Sequence, residues 1–347
     1  MGCSRPEDNV VNVYDWADYA SPELIRGFEA STGIRVNHDV FDSNLILETK
    51  LLTGNSGYDV VVPGHGYLER LIGARVFAPL DRSLLSNLAS IDADVMARLA
   101  RHDPGNRHGI AYVWGTSGLA YDVVRLRARM PDAPLDSWSL LFDPKVVARF
   151  ADCGVGMPDS PVAMLPAVLA WLGLDPLSEN AADLARAEAA LVAMRPYVRK
   201  LDNAGLKEDL ANGDLCLVAT EGGSLAQARR IALEANRNVA LEYSLPREGA
   251  MLWIDVLAIP ADAPHPRNAH RFINYIMDAA VAAAMTNDLK FASANAAALP
   301  KIDPALRDDP AIYPPPEVRQ RLFTDVARGD EFARQRNRLW TRFKTAR

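Results

Sequence analysis

Val11-Asn-Val-Tyr-Asp-Trp-Ala-Asp-Tyr19 is the stretch whose reading decides the fold. Val11 and Val13 alternate with other residues, the period-two pattern of a strand with one buried face. At Asp15 the pattern gives way to a cluster of Trp16, Asp18 and Tyr19, two aromatic rings and a carboxylate. Ser21-Pro22-Glu23 follows, a helix start with Ser21 as N-cap and Pro22 at the first helical position. The aromatic and acidic side chains therefore stand between a strand and a helix, where open α/β sheets place their ligands. Aromatic faces beside a carboxylate are the groups that hold an organic cation. The same rings also suit a core under a loop, and on this stretch alone both readings stand.

Downstream the strand-helix unit repeats. A helix over Leu24 to Ala30 is ended by Gly33, and Ile34 to Phe41 is the next strand. Asp42-Ser43-Asn44 caps a helix over Leu45 to Leu52, terminated by the turn Gly54-Asn-Ser-Gly57. Tyr58 to Pro63 reads as a short buried strand, followed by Gly64-His65-Gly66 and a helix from about Tyr67. Strands alternating with helices at this spacing predict an α/β fold with a parallel, doubly wound sheet. Gly64 and Gly66 permit close approach of a ligand to the backbone. Neither G-x-x-x-x-G-K-[ST] nor G-x-G-x-x-G occurs, so these glycines form no phosphate cradle. His65 reads as a loop histidine, with ligand contact as the alternative. His102 and His108, flanking Asp103-Pro-Gly-Asn106, read as surface loop residues.

At 347 residues the chain exceeds one ordinary core and suits two lobes. Apolar content of 49% and charged content of 24% are those of a soluble globular protein. A net charge of -6 argues against nucleic acid and anionic membrane surfaces and fits a cationic ligand. No run of eighteen apolar residues exists to span a membrane. Gly2-Cys3-Ser4 ahead of a polar tether is similar to the trimmed end of a bacterial lipoprotein signal, with lipid on Cys3; a cloning remnant is the other reading. If a signal was removed, the chain works outside the cytoplasm, where disulfides persist and Cys153 and Cys216 can pair, although sequence sets no distance between them. No Cys-x-x-Cys or clustered His/Cys set is present, and neither a metal nor a cofactor is expected.

Ile110 to Tyr121 mixes apolar and small residues, as a segment crossing between lobes would. Helices are expected over Val162 to Leu172 and Ala181 to Met194, and over Lys207 to Asn212 before Gly213. Leu215 to Ala219 is a buried strand leading to Glu221-Gly-Gly-Ser224, a second strand-to-helix loop. In the strand within Pro246 to Pro260, Asp255 is an isolated carboxylate among Met, Leu, Trp, Ile and Val. A buried ionised Asp is costly unless something pairs with it, and alternation alone would equally turn Asp255 to solvent. Trp253 and Asp255 share one face at period two, repeating the pairing of Trp16 with Asp18. Helices from about Pro266 and Ala279 follow, then Phe291 before a loop, and a tail with helices around 316–322 and 331–343. The basic stretch from Arg328 reads as a solvated helix face.

In order along the chain, Asp15-Trp-Ala-Asp-Tyr19, His38-Asp-Val-Phe-Asp-Ser-Asn44, Tyr58-Asp-Val-Val-Val-Pro63, Asp209-Leu-Ala-Asn-Gly-Asp-Leu-Cys216, Pro246-Arg-Glu-Gly-Ala-Met251, Ile254-Asp-Val256 and Pro260-Ala-Asp-Ala263 carry a resemblance. The chain resembles the periplasmic polyamine-binding proteins of bacterial ABC transporters, in their putrescine-binding branch, from about Val11 to Lys344. The resemblance implies a type II periplasmic binding protein fold, two α/β lobes that close over ligand in a cleft between them. The expected division is a tether over residues 1–8, lobe 1 over 9–112 and 250–300, and lobe 2 over 113–249 and 301–347. It also implies a disulfide between Cys153 and Cys216. The implied ligand residues are Trp16, Asp18, Tyr19, Trp253 and Asp255, with Phe291 at an aromatic position. Trp16, Tyr19, Trp253 and Phe291 would box the methylene chain, Asp255 would pair with one ammonium, and Asp18 would assist at the other end.

The chain departs from that branch at the distal subsite. Glu221 and Ser224 stand where the branch has Trp and Asp, Gly64 where it has Ser, and Val162 near where it has Glu. Glu221 restores one acceptor. The function so implied is capture of a cationic amine or polyamine, putrescine- or spermidine-like. A periplasmic monomer would deliver it by lobe closure to the inner-membrane permease of an ABC importer. A ligand sensor of the same fold, or a binder of a non-polyamine amine, are the alternatives. Catalysis is disfavoured, because Ser137, Ser160 and Ser224 lack a G-x-S-x-G elbow and aromatics around Asp18 and Asp255 suit cation holding.

Overall fold

The computed structural model describes residues 8–17 and 19–346, so two residues singled out above, Cys3 and Asp18, lie outside the described residues. β1 (Val10–Trp16) buries Val11, Val13 and Tyr14. α1 (Pro22–Thr32) starts where Ser21 Oγ accepts the Leu24 N–H and ends at Gly33, whose φ of 70° suits glycine. β2 (Arg35–Phe41) leads to α2 (Asn44–Leu52), capped by Ser43. Then come β3 (Val60–Val61), α3 (His65–Gly73), α4 (Ala93–Leu99) and the long, wholly buried β4 (Gly109–Asp122). The middle of the chain holds α5 (Val123–Arg129), α6 (Ser139–Phe142), α7 (Pro144–Val147), β5 (Val155–Met157), α8 (Pro161–Trp171), α9 (Ala181–Met194) and β6 (Lys200–Leu201). α10 (Leu206–Asn212), β7 (Leu217–Glu221), α11 (Gly222–Glu234), β8 (Leu241–Ser244) and β9 (Ala250–Ala258) follow. The last part is α12 (Pro266–Ile276), α13 (Ala279–Leu289), β10 (Ala292–Ser293), α14 (Pro304–Arg307), α15 (Pro316–Arg319), β11 (Leu322–Phe323) and α16 (Asp330–Thr345).

These elements form two compact units. The first holds the chain up to Trp114 together with Ile254–Arg307, and the second holds Gly115–Trp253 and the chain from Asp308 on. The chain therefore passes from one to the other inside β4, inside β9 and after α14.

In the first unit the strand order is β2-β1-β3-β9-β4, with β10 on β4. β1 runs parallel to β2 and to β3, as the alternating strand-helix pattern predicts. β9 is antiparallel to β3 through Val61 and Ala258, so the sheet is mixed. Parallel neighbours need a crossover connection, and β9 arrives from the second unit without one from β3. α12 packs on β1 and β3, and Phe28 of α1 meets Phe272 edge-on at 5.2 Å.

In the second unit β8, β4, β7, β5 and β6 lie side by side, β4 antiparallel to β7 and β5 parallel to both its neighbours. Its main core joins α6, α8 and α9 to α16, which buries Phe332, Leu339, Trp340 and Phe343. The basic tail is thus not simply a solvated face. Those four residues fall on one stripe at helical spacing, shared by Arg336, whose guanidinium lies over the Phe332 ring at 5.9 Å, while Arg334, Arg338 and Arg342 lie off it, Arg342 pairing with Glu188. A second correction concerns residues 221–224: β7 ends at Glu221 and α11 begins at Gly222, leaving no loop. An added Cβ on Gly222 would lie 1.9 Å from the Ala311 carbonyl oxygen, so only glycine lets the helix start there.

Cys153 and Cys216 are bonded, with Cα atoms 5.6 Å apart, joining the segments that enter the neighbouring strands β5 and β7. The bond closes a span of 63 residues. Reduction should lower stability by about 2–4 kcal/mol. Urea unfolding with and without reductant checks this, and an unchanged midpoint would contradict it.

Of the histidines read as surface residues, one is buried and the other half-buried. His102 is buried, with Nδ1 2.8 Å from Glu69 Oε2. His108 is half-buried, with Nδ1 2.9 Å from Asp103 Oδ1. The turn between them folds back because the buried Asp103 also accepts the His108 and Gly109 N–H groups.

Candidate functional site

β1, the turn after it, the start of α3, the first half of β4 and the second half of β9 bring together an acidic and aromatic group in the first unit. Asp255, in β9, is 7% exposed, so its carboxylate does not face solvent. Tyr19 Oη donates to Asp255 Oδ2 at 2.7 Å. Gly64 bridges Asp255 through the backbone and donates its N–H to Asn44 Oδ1 at 2.8 Å. A Cβ on Gly64 would sit 3.2 Å from Asn44 Nδ2, so a serine here would push that amide aside.

His65 is the first residue of α3, not a loop residue, and is buried. Its Nδ1 accepts the Ile254 N–H at 3.2 Å, and its ring meets His102 edge-on at 4.6 Å. It therefore supports the strand that carries Asp255. Trp16 packs against Phe41 with centroids 4.6 Å apart, and its Nε1 is buried without a hydrogen-bond partner among the described residues. Tyr112 of β4 is buried and meets Tyr19 edge-on at 5.9 Å.

The electrostatics of this group run in one direction. Burial pushes the Asp15 carboxyl up to about 8, against the Trp16 N–H that favours its anion and with the negative charge of Asp255 adding to the rise. Burial, followed by the charge and hydrogen bond of Asp255 and the charge of Asp15, holds the Tyr19 phenol well above its usual value. Burial and then the same two carboxylates do so for Tyr112. Every one of these shifts favours the proton-bound form, and an incoming cation would oppose each of them.

The other predicted residues are placed as follows. Phe291 is half-buried in the first unit, between the left-handed Lys290 that ends α13 and β10. Trp253, Glu221, Ser224 and Val162 belong to the second unit. Trp253 is half-buried, and a Cβ on Gly115 would come within 2.4 Å of its ring, so the glycine makes room for the indole. Glu221 Oε2 accepts from Ser224 Oγ at 3.1 Å and from Thr220 Oγ1 at 3.3 Å. Asp15 and Tyr112 were missing from the predicted site. Asp15 carried the signal used for Asp255, a carboxylate inside a buried strand; Tyr112 carried none, being one aromatic in an apolar run.

A model of the family described as bacterial extracellular solute-binding protein matches residues 23–314. The putrescine-binding periplasmic protein SpuD of Pseudomonas aeruginosa (strain UCBPP-PA14) is 40% identical over 348 residues, covering 100% of this chain and 95% of its own. The putrescine-binding periplasmic protein PotF of Escherichia coli K12 is 39% identical over 349 residues, covering 100% and 94%. Among solved structures, the spermidine/putrescine ABC transporter substrate-binding protein PotD of Streptococcus pneumoniae has a TM-score of 0.84 at 24% identity, over 97% of this chain and 99% of that one. At that identity the likeness speaks for the fold. Among the described residues no helix is long and apolar enough to cross a membrane.

Proposed function

This chain belongs to the bacterial extracellular solute-binding proteins, with the two-lobed α/β fold of the type II periplasmic binding proteins, and on that premise we propose that it captures a cationic amine or polyamine, putrescine- or spermidine-like, in the periplasm and delivers it to the permease of an ABC importer. The observation that carries this reading is the buried hydrogen bond from Tyr19 to Asp255, set beside a second buried carboxyl, Asp15. Tyr19 occupies one lone pair of Asp255 and orients the carboxylate, a group with about four lone-pair sites in all. A charge-assisted bond of this kind is roughly twice as strong as a neutral one.

Trp16 and Tyr19 supply aromatic faces for the alkyl chain and ammonium, and Trp253 and Phe291 are proposed to do the same. Desolvated, each cation-π contact is worth about 2 kcal/mol. Glu221 with Ser224 is the proposed acceptor for a second ammonium, and Asp18 is proposed to assist there. Work outside the cytoplasm agrees with the Cys153–Cys216 bond, and lipid on Cys3 and a monomeric state are part of the same proposal.

Thermal unfolding tests the ligand class. The protein is first unfolded and refolded with its disulfide intact to remove co-purified ligand. It is then scanned with putrescine, cadaverine, spermidine, spermine, agmatine and the neutral 1,4-butanediol. A ligand at about 100 times its Kd adds about 2.7 kcal/mol. At least one amine should raise the Tm and the diol should not. No response to any amine, or an equal response to the diol, would reject the reading.

A further inference from the structure

Among the described residues, five aspartates have buried carboxyls, and they differ in how they are solvated. Asp59 accepts the Asn12 and His265 N–H groups and lies 3.0 Å from His265 Nδ1. Asp103 accepts two backbone N–H groups and contacts His108 Nδ1, and Asp122 accepts two at the start of α5. Asp15 is 2% exposed and accepts a single hydrogen bond, from the Trp16 N–H at 2.7 Å. The fifth, Asp255, is close enough for its charge to act on Asp15. A buried carboxylate so thinly solvated is costly, and taking up a proton removes the cost.

Among the described residues, no cationic side chain bonds to Asp15 to replace that proton. Tyr19 follows it in the chain and Tyr112 reaches it from β4, both phenols that stay protonated. β9 contributes Asp255, and β2 sets the apolar Val40 opposite Asp15 in register. His65 uses Nδ1 to accept from the Ile254 backbone. α12, packed on β1, carries Arg267, His270 and Arg271, none of which bonds to Asp15.

We propose that Asp15 is the proton carrier of the cation site: its carboxyl is protonated while the site is empty and gives the proton to solvent when an ammonium group settles against Asp255, so that capture of one cation expels one proton. The O–H bond of Asp15 breaks, the proton leaves on water or buffer, and the new carboxylate shares the ligand's positive charge with Asp255. The total charge buried at the site is the same before and after. This inference rests on the amine-binding reading above.

Linkage fixes the sign. A proton that must leave competes with the ligand, so affinity should fall about tenfold for each pH unit below the empty-site value and level off above it. That value is about 8, set first by burial and then raised further by Asp255 against the Trp16 hydrogen bond. Asp15→Asn keeps an oxygen for the Trp16 N–H and removes the titration.

The test is calorimetry of putrescine binding to the full chain at pH 7, in phosphate and in Tris, whose ionisation enthalpies differ. The wild type should release close to one proton per putrescine, and Asp15→Asn none. An enthalpy independent of buffer in the wild type, or undiminished release in Asp15→Asn, would overturn the proposal. Carbon-13 NMR of aspartate carboxyls in the ligand-free protein gives a second readout: one carboxyl should titrate near pH 8 and vanish in Asp15→Asn. Titration of every aspartate below pH 5 would overturn the proposal whether or not any amine binds. Putrescine binding without proton release would remove the coupling and leave the amine reading standing; no binding by any amine would remove both.

Discussion

Asp255→Asn should weaken amine binding by about 2–5 kcal/mol, from ~30-fold to several thousandfold, with little change in the fold. Asparagine has nearly the same shape, and its Oδ1 can still accept from Tyr19 Oη, which lies 2.7 Å from the native carboxylate. What disappears is the charge at a position only 7% exposed, where water screens it little. The ammonium would then be left desolvated against a neutral amide, the costly half of a broken buried pair. Calorimetry on the variant measures the loss, and its circular dichroism and Tm check folding. Unchanged affinity in a folded variant would reject Asp255 as the ammonium acceptor.

Asp15→Asn should stabilise the ligand-free protein at pH 8 by several kcal/mol and near pH 4 hardly at all. In the folded protein burial, with Asp255 adding to it, holds the Asp15 carboxyl at about 8, against an ordinary value of 3.8. Below 3.8 both folded and unfolded chains carry the proton, and the group's contribution to stability is fully present. As pH rises the unfolded chain ionises first, and the wild type loses about 1.4 kcal/mol per pH unit until the folded group also titrates near 8. Asparagine does not titrate, so the gap between variant and wild type should widen from pH 4 to pH 8. Urea unfolding at several pH values measures it. A gap that does not change with pH would show that Asp15 is ionised in the folded protein.

Local signals in the sequence carried the first third of the fold. Ser21, Pro22 and Gly33 bound α1 as their residue types predict, and Ser43 starts α2, because caps depend on neighbours a few residues away. Features decided by distant partners were not legible. His102 is buried because α3 brings Glu69 to it, and His65 because Ile254, 189 residues away, needs an acceptor. The direction of β9 follows from its arrival out of the second unit, which no local pattern announces. Two errors had a readable signal. Phe332, Leu339, Trp340 and Phe343 form an apolar stripe that the excess of arginine concealed. Asp15 was a second carboxylate in a buried strand. For the site, Tyr19 and Asp255 meet although 236 positions separate them; no local pattern joined them, and only the resemblance set them in one ligand set.

The most direct test of the central claim is one pair of titrations on the refolded, ligand-free chain, with putrescine and with 1,4-butanediol. The two share length and carbon chain and differ in charge. An ammonium held between Asp255 and aromatic faces predicts saturable one-to-one binding of the diamine and no detectable binding of the diol. Equal binding of both, or no binding of the diamine at millimolar concentration, would contradict a cation site.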